Sequence, residues 1–242
     1  MRAVPSILPL TLSGVGYDAG GSTLIDGVDL TLSGTGRLVV LGYNGAGKSL
    51  LLRLCHGLIR PTRGRVDWQG PGAAQGGPPR HAMVFQRPVM LRRTALANLV
   101  HALAAYGVPG AARRERALAA LARFGLVHLA DRPARVLSGG EQQRLALARA
   151  WLLEPEVIFL DEPSSNLDPA ATRAVEEMIR SFTADGIKVV MTTHDLGQAR
   201  RLADAVAFLH GGRLLEHGPA DSFFTAPRSP QAAAFLRGDL VV

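Results

Sequence analysis

RLVVLGYNGAGKSLLL, residues 37–52, runs from a short apolar stretch through a glycine-rich turn into a leucine-rich segment. Gly42, Gly47, Lys48 and Ser49 fit the pattern G-x-x-x-x-G-K-[ST], with the strand before and the helix after that the motif requires. Glycines let the backbone curl so that successive N–H groups point inward at an anion. A helix opening near Lys48 adds the positive end of its dipole. The turn therefore reads as a cradle for a polyphosphate, built from Gly42, Asn44, Gly45, Ala46, Gly47, Lys48, Ser49 and Leu50. Lys48 can reach the β- and γ-phosphates, and the Ser49 hydroxyl can enter the shell of a Mg²⁺ ion, which keeps most of its waters.

The chain around this turn has 242 residues, enough to bury a large core as one α/β domain with a small subdomain. No run of 18 apolar residues occurs, 7–12 is too short for a membrane span, and the start lacks a signal peptide's basic region and cleavage site. A cytosolic chain is expected. Its one cysteine, Cys55, lies in the apolar segment after the turn and reads as a small core residue. The seven histidines show no metal-ligand spacing. A net charge of +7 suits polyanionic ligands in general, but aromatics make up only 5%, which argues against a single-stranded nucleic-acid groove with stacking platforms. The arginine clusters at 92–93, 113–116 and 200–201 read as solvated helix faces.

Residues 7–33 alternate apolar and polar positions around Gly20 and Gly21, as antiparallel strands do. Tyr17, near the end of the first, is either a half-buried strand aromatic or a platform for a planar base. The helix from Lys48 is expected to present Leu51, Leu52, Leu54, Cys55 and Leu58 to the core, and 70–80 to be a glycine- and proline-rich surface loop. A short strand at 83–85 delivers Gln86 to a loop broken by Pro88. Leu96, Leu99, Val100 and Leu103 then mark a helix capped by Thr94, and a second helix runs over about 111–124.

LSGGEQQR, 137–144, opens another helix, with Ser138 and Glu141 spaced as a capping box. Ser138 followed by Gly139 and Gly140 also makes a second anion-binding helix terminus. VIFL, 157–160, is a continuous apolar strand of the kind buried on both faces, and it ends in Asp161 and Glu162 at the sheet edge where ligands bind in open α/β folds. Those carboxylates either divide the work, Asp161 to a metal shell and Glu162 to an attacking water, or merely cap the next turn. Asp168 and Pro169 read as N-cap and first helical residue. His194 follows a second buried strand at 187–193 and arrives at the same sheet edge as Gly42, Gln86 and Asp161.

In order and spacing, GYNGAGKS, VFQRP, LSGGEQQR, VIFLDEP, SSNLD and His194 resemble the ATP-binding subunit of ABC transporters over nearly the whole chain. The resemblance implies an α/β P-loop NTPase core with a mainly parallel sheet, an N-terminal antiparallel β-subdomain and an inserted helical subdomain. The bounds expected for a single domain 1–242 are about 1–87 and 154–242 for the core and β-subdomain, and about 88–153 for the helical part. It implies ATP and Mg²⁺ as ligands, and a head-to-tail homodimer in which each ATP lies between one chain's phosphate loop and Ser138, Gly139 and Gly140 of the other. By the same resemblance Tyr17 stacks on adenine, Gln86 senses metal and water, Asp168 belongs to the loop crossing the dimer seam, Glu162 is the general base and His194 contacts the γ-phosphate. Ser49, Gln86 and Asp161 would then serve the metal. Tyr43 and Asn166 depart from the commoner pattern.

The partners so implied are integral membrane permease subunits and, indirectly, a periplasmic or surface solute-binding protein, with the chain peripheral on the cytoplasmic face. No nucleic-acid partner is expected. The end of the chain some two dozen residues past Glu216 suggests a short importer subunit. GAGKSLLLRLCHGLIRPTRGRV and VFQRPVMLRRTALANLVHAL are most similar to ATPase subunits of tungstate, molybdate or phosphate-type oxyanion importers. The competing readings are an ATPase of an exporter or lipoprotein-release system and a soluble nucleic-acid-acting ABC ATPase.

Overall fold

A computed structural model describes residues 5–74 and 80–239. The expected loop 70–80 thus lies partly, at 75–79, outside the described residues. The chain divides into two compact units, one of Met1–Gly77 and Lys188–Val242 and the other of Pro78–Ile187. In chain order the first unit contributes β1 (Leu10–Ala19), β2 (Ser22–Leu32), β3 (Arg37–Leu41), α1 (Lys48–His56) and β4 (Arg63–Trp68). The second carries β5 (His81–Val84), α2 (Ala95–Ala105), α3 (Gly110–Arg123), α4 (Gly139–Trp151), β6 (Val157–Asp161) and α5 (Pro169–Ala184). The chain then returns to the first unit with β7 (Lys188–Thr192), α6 (Leu196–Leu202), β8 (Ala205–His210), β9 (Arg213–Pro219), α7 (Ala220–Thr225) and α8 (Pro230–Arg237).

The first unit joins two kinds of sheet. Strands β2, β1 and β4 form an antiparallel sheet, as the alternation over 7–33 predicts. In the other sheet β3 runs parallel to both β7 and β8, and β9 closes an antiparallel hairpin onto β8. Leu38, Val39, Val40 and Leu41 are all buried, which is why that strand reads as an unbroken apolar run rather than an alternating one. Helix α1 buries Leu51, Leu52, Leu54 and Cys55. Leu58, expected beside them, is 50% exposed. The helix stops one residue earlier, at Gly57, whose φ of 83° lets the Leu58 N–H fold back onto the Arg53 carbonyl. Burial pushes the Cys55 thiol up to about 12, so it is an inert core residue.

In the second unit β5 and β6 pair in parallel, with His81 opposite Val157 and Val84 opposite Leu160. Thr94 caps α2 by accepting from the Ala97 N–H, and Leu96, Leu99 and Leu103 are buried at helical spacing. Helix α5 starts at Pro169 and buries Val175, Met178, Ile179 and Phe182. The fold class expected from the sequence, α/β with parallel strands and an N-terminal antiparallel sheet, is the one observed.

Candidate functional site

In the first unit the site begins where β3 ends. Gly42 leaves the strand with φ 151°, and a Cβ there would collide with the Leu209 carbonyl of β8. Gly47 caps α1 in the left-handed region at φ 98°, where a Cβ would come within 2.7 Å of Ile25 Cδ1. These two contacts explain why glycine occupies both ends of the turn. Gly47 has no side chain to cap α1, so no acceptor of the usual capping kind precedes its first turn. Lys48 is only 6% exposed, and its Nζ donates to the Gly42 and Tyr43 carbonyls at 2.9 and 3.1 Å. The ammonium is thus folded over the turn. Ser49 and Leu50 follow on the first helical turn, both half-buried, and Asn44 and Gly45 form the exposed tip.

Two further predicted residues join this loop. Tyr17 lies opposite Ile25 in the β1–β2 register, and Ile25 is the residue packed against Gly47. Directly opposed residues share a sheet face, so the Tyr17 ring belongs to the face that meets the turn. On the other side Val40 pairs with Thr192. Gly42 and His194 therefore leave neighbouring parallel strands two residues past the same rung.

The second unit holds the remaining residues. Val84 pairs with Leu160, so Gln86 and Glu162 also stand two residues beyond one rung. The Gln86 amide donates to Ser165 Oγ at 3.0 Å and approaches Glu162 Oε2 at 3.4 Å. Asp161 is the last residue of β6 and 3% exposed. Glu162 differs from the expectation of a pleat that turns adjacent residues to opposite faces. It stands outside the strand in the left-handed region at φ 45°, and Asn166 follows at φ 60°. Such a backbone costs roughly 1–2 kcal/mol per residue for a side chain with a Cβ. Strain of this kind collects where a side chain must be aimed.

Helix α4 opens with the full capping box: Ser138 Oγ accepts from the Glu141 N–H at 3.3 Å, and Glu141 Oε2 accepts from the Ser138 N–H at 2.8 Å. The Ser138 N–H and hydroxyl hold the Glu141 carboxyl below its ordinary range. The box engages neither the Gly139 nor the Gly140 N–H. Gly140 has a packing reason of its own, since a Cβ there would meet the Ala171 methyl at 2.7 Å. Asp168 caps α5 through the Ala171 N–H at 2.9 Å, so the start of α5 fixes both Asp168 and the space beside Gly140.

Sequence reasoning passed over several residues that hold these groups in place. Ser165 receives the Gln86 amide. Arg149 donates to the Val89 carbonyl, Arg135 to that of Met90, and the buried Asn98 accepts from the Leu91 N–H, so three side chains pin the segment after Gln86. Only Asn98, a polar residue on the buried face of α2, carried a signal in the sequence.

The Ser49 hydroxyl in the first unit, and the Asp161 carboxylate and Gln86 amide oxygen in the second, are hard oxygen donors. Among the described residues no cluster of three or more His, Cys, Asp or Glu could hold an ion. Oxygen donors of these kinds are the ones Mg²⁺ takes, since it binds through few protein oxygens together with phosphates and water. No helix of the described residues is long and apolar enough to cross a membrane.

Residues 25–165 match the family model described as ABC transporter. The chain is 39% identical to the methionine import ATP-binding protein MetN of Cereibacter sphaeroides over 82% of its own length, and spans 59% of that relative. It is 32% identical to the phosphate import ATP-binding protein PstB 2 of Natronomonas pharaonis, over 96% of this chain and 87% of that one. It is 33% identical to the tungstate uptake system ATP-binding protein TupC of Peptoclostridium acidaminophilum, over 90% of this chain and all of that one. A solved ATP-binding subunit of an ABC transporter superposes with a TM-score of 0.79 at 25% identity, covering 96% of this chain and 99% of that one.

Proposed function

The chain belongs to the ABC transporter family as an ATP-binding, ATP-hydrolysing subunit, and from that premise we propose that it powers import of a small oxyanion through a membrane permease. In this reading Gly42 and the residues from Asn44 to Leu50 hold the ATP phosphates, Lys48 neutralises them and Tyr17 carries the adenine. Glu162 accepts a proton from the attacking water, Gln86 orients that water, and His194 contacts the γ-phosphate. Ser49, Asp161 and Gln86 would hold Mg²⁺, which would supply charge neutralisation to the phosphates. Ser138, Gly139, Gly140 and Asp168 close over the ATP of a second copy arranged head to tail. Residues 88–153 act as the helical subdomain, and the assembled subunit works at the cytoplasmic face of the membrane.

The observation that carries the hydrolytic part is the meeting of Gln86 with Glu162 at the ends of paired strands, with Glu162 held in a left-handed backbone. Glu162→Gln should bind ATP and lower hydrolysis by about 10² to 10⁴, the contribution of a positioned general base. Turnover near wild type in that variant would remove Glu162 from the role. Oxyanion import is supported by relatives named for phosphate and tungstate uptake that align over 90–96% of this chain. Methionine import is the second reading, favoured by the 39% identity to MetN. With the cognate permease and solute-binding protein in vesicles, ATP hydrolysis should rise with tungstate, molybdate or phosphate. A rise with methionine alone would decide for the second reading.

A further inference from the structure

Tyr43, the one bulky residue in the turn between Gly42 and Gly47, has no part in the chemistry above. Its carbonyl accepts both the Lys48 ammonium at 3.1 Å and the Ala46 N–H at 3.1 Å, so the position of this peptide helps set where Lys48 sits. Its side chain leads away from the turn to the last helix. The Tyr43 hydroxyl donates to the Asp239 carbonyl at 2.6 Å, and its ring meets Phe235 of α8 edge to face at 5.0 Å and 85°. Helix α8 is fixed at its other points. Glu216 of β9 accepts from the Ser229 N–H and hydroxyl at 2.6 and 2.7 Å, and Phe235 packs on Phe208 of β8 at 5.3 Å. The flanking glycines at 42 and 45 both have positive φ and leave the turn little stiffness of its own.

We infer that Tyr43 is a positioning residue through which the C-terminal helix α8 holds the phosphate loop and Lys48 in their ATP-binding arrangement. The inference rests on the nucleotide reading of the loop given above. A tether that favours the binding arrangement must, by linkage, be tightened by the ligand. ATP binding is therefore felt at α8, and a change at α8 alters ATP affinity. Any partner that grips or displaces this helix would adjust nucleotide affinity without touching the loop.

The test uses the full chain with Mg²⁺ and ATP, reading ATP affinity and amide hydrogen exchange over 230–239. In the wild type ATP should slow exchange in α8. Tyr43→Ala should abolish that slowing and weaken ATP binding by about fivefold or more, the lower end of ordinary coupling. Tyr43→Phe, which keeps the ring contact and loses the bond to Asp239, should fall between. Phe235→Leu, remote from the phosphates, should weaken ATP binding as well, and its effect should not add to that of Tyr43→Ala if both act through one contact. A merely structural role would lower the nucleotide-free melting temperature and leave the exchange response of α8 in place, which would overturn the inference. So would ATP binding that leaves α8 exchange unchanged in the wild type, or undiminished affinity in Tyr43→Ala. A wild-type chain that bound no ATP would overturn the proposed function itself, and this inference with it.

Discussion

Helices α1 and α4 both begin among glycines with a serine near, yet their first turns are completed in opposite ways. At α1 the cap is Gly47, which offers no side-chain acceptor, the first turn has no acid, and a lysine stands at the first helical position. A cation there opposes the helix dipole by about 0.3–1 kcal/mol. At α4 the cap is Ser138, its partner Glu141 completes the reciprocal box, and the acid lies where the dipole favours it. The first terminus lacks both the capping side chain and the acid that favour a helix start. The second has both, so its first turn is held by its own side chains before any ligand is met. Local rules are broken at α1 and kept at α4, and the breach falls at the end proposed to hold phosphate directly.

The largest test of this contrast is the response to ATP. At an ATP concentration of about 100 times Kd, binding should stabilise the wild-type chain by about 2.7 kcal/mol. Lys48→Ala should lose most of that shift and lower hydrolysis by about 10² to 10³, the order seen when one preorganised donor is removed from a developing anion. Ser138→Ala in the isolated chain should keep the ATP-induced shift, because its box stabilises only its own helix. A melting curve of each variant with and without ATP decides it. Loss of the shift in Ser138→Ala would make the two termini equivalent and break the comparison.

A smaller effect separates the glycines. Replacing a helical glycine by alanine ordinarily gains roughly 1 kcal/mol, but at Gly140 the added methyl meets that of Ala171 at 2.7 Å. Gly140→Ala should therefore destabilise the chain by about 1–3 kcal/mol as overpacking does. Gly139→Ala, whose nearest neighbour is Leu167 Cδ2 at 3.9 Å, should cost nothing measurable in urea denaturation. Equal stabilities would mean that the double glycine answers to the ligand and not to α5.

What the sequence announced was whatever a few consecutive residues can encode. The phosphate turn, the capping box at Ser138 and Glu141, the cap at Asp168 and the continuous apolar strands all rest on spacings of seven residues or fewer, and each stands where it was expected. Leu58 was misplaced for a reason equally local, the left-handed stop at Gly57. The contacts that aim the site are of another kind. Gly140 against Ala171, Gln86 against Ser165 and Tyr43 against Asp239 join residues 31, 79 and 196 positions apart, and no periodicity reports them. The left-handed backbone at Glu162 is likewise imposed by its surroundings, since glutamate has no local preference for it.

The smallest expected effect is also the one that isolates the electrostatic half of the contrast. In the folded chain the Ser138 N–H and hydroxyl hold Glu141 below its ordinary value of 4.5. A carboxyl depressed on folding contributes stability that is fully present above its unfolded value and is lost as pH falls through the folded one. Glu141→Gln keeps a side-chain acceptor for the Ser138 N–H and removes the charge. The stability difference between wild type and Glu141→Gln, measured by urea denaturation, should thus stay constant from about pH 7 to about pH 5 and shrink as pH falls towards 4 and below. Helix α1, with Lys48 and no acid in its first turn, has no such contribution. The difference between wild type and Lys48→Met should accordingly be flat over the same range. A Glu141→Gln difference that is flat, or that widens in acid, would show that the α4 terminus draws nothing from its charge and would leave the hydrogen bonds of the box as its whole advantage over α1.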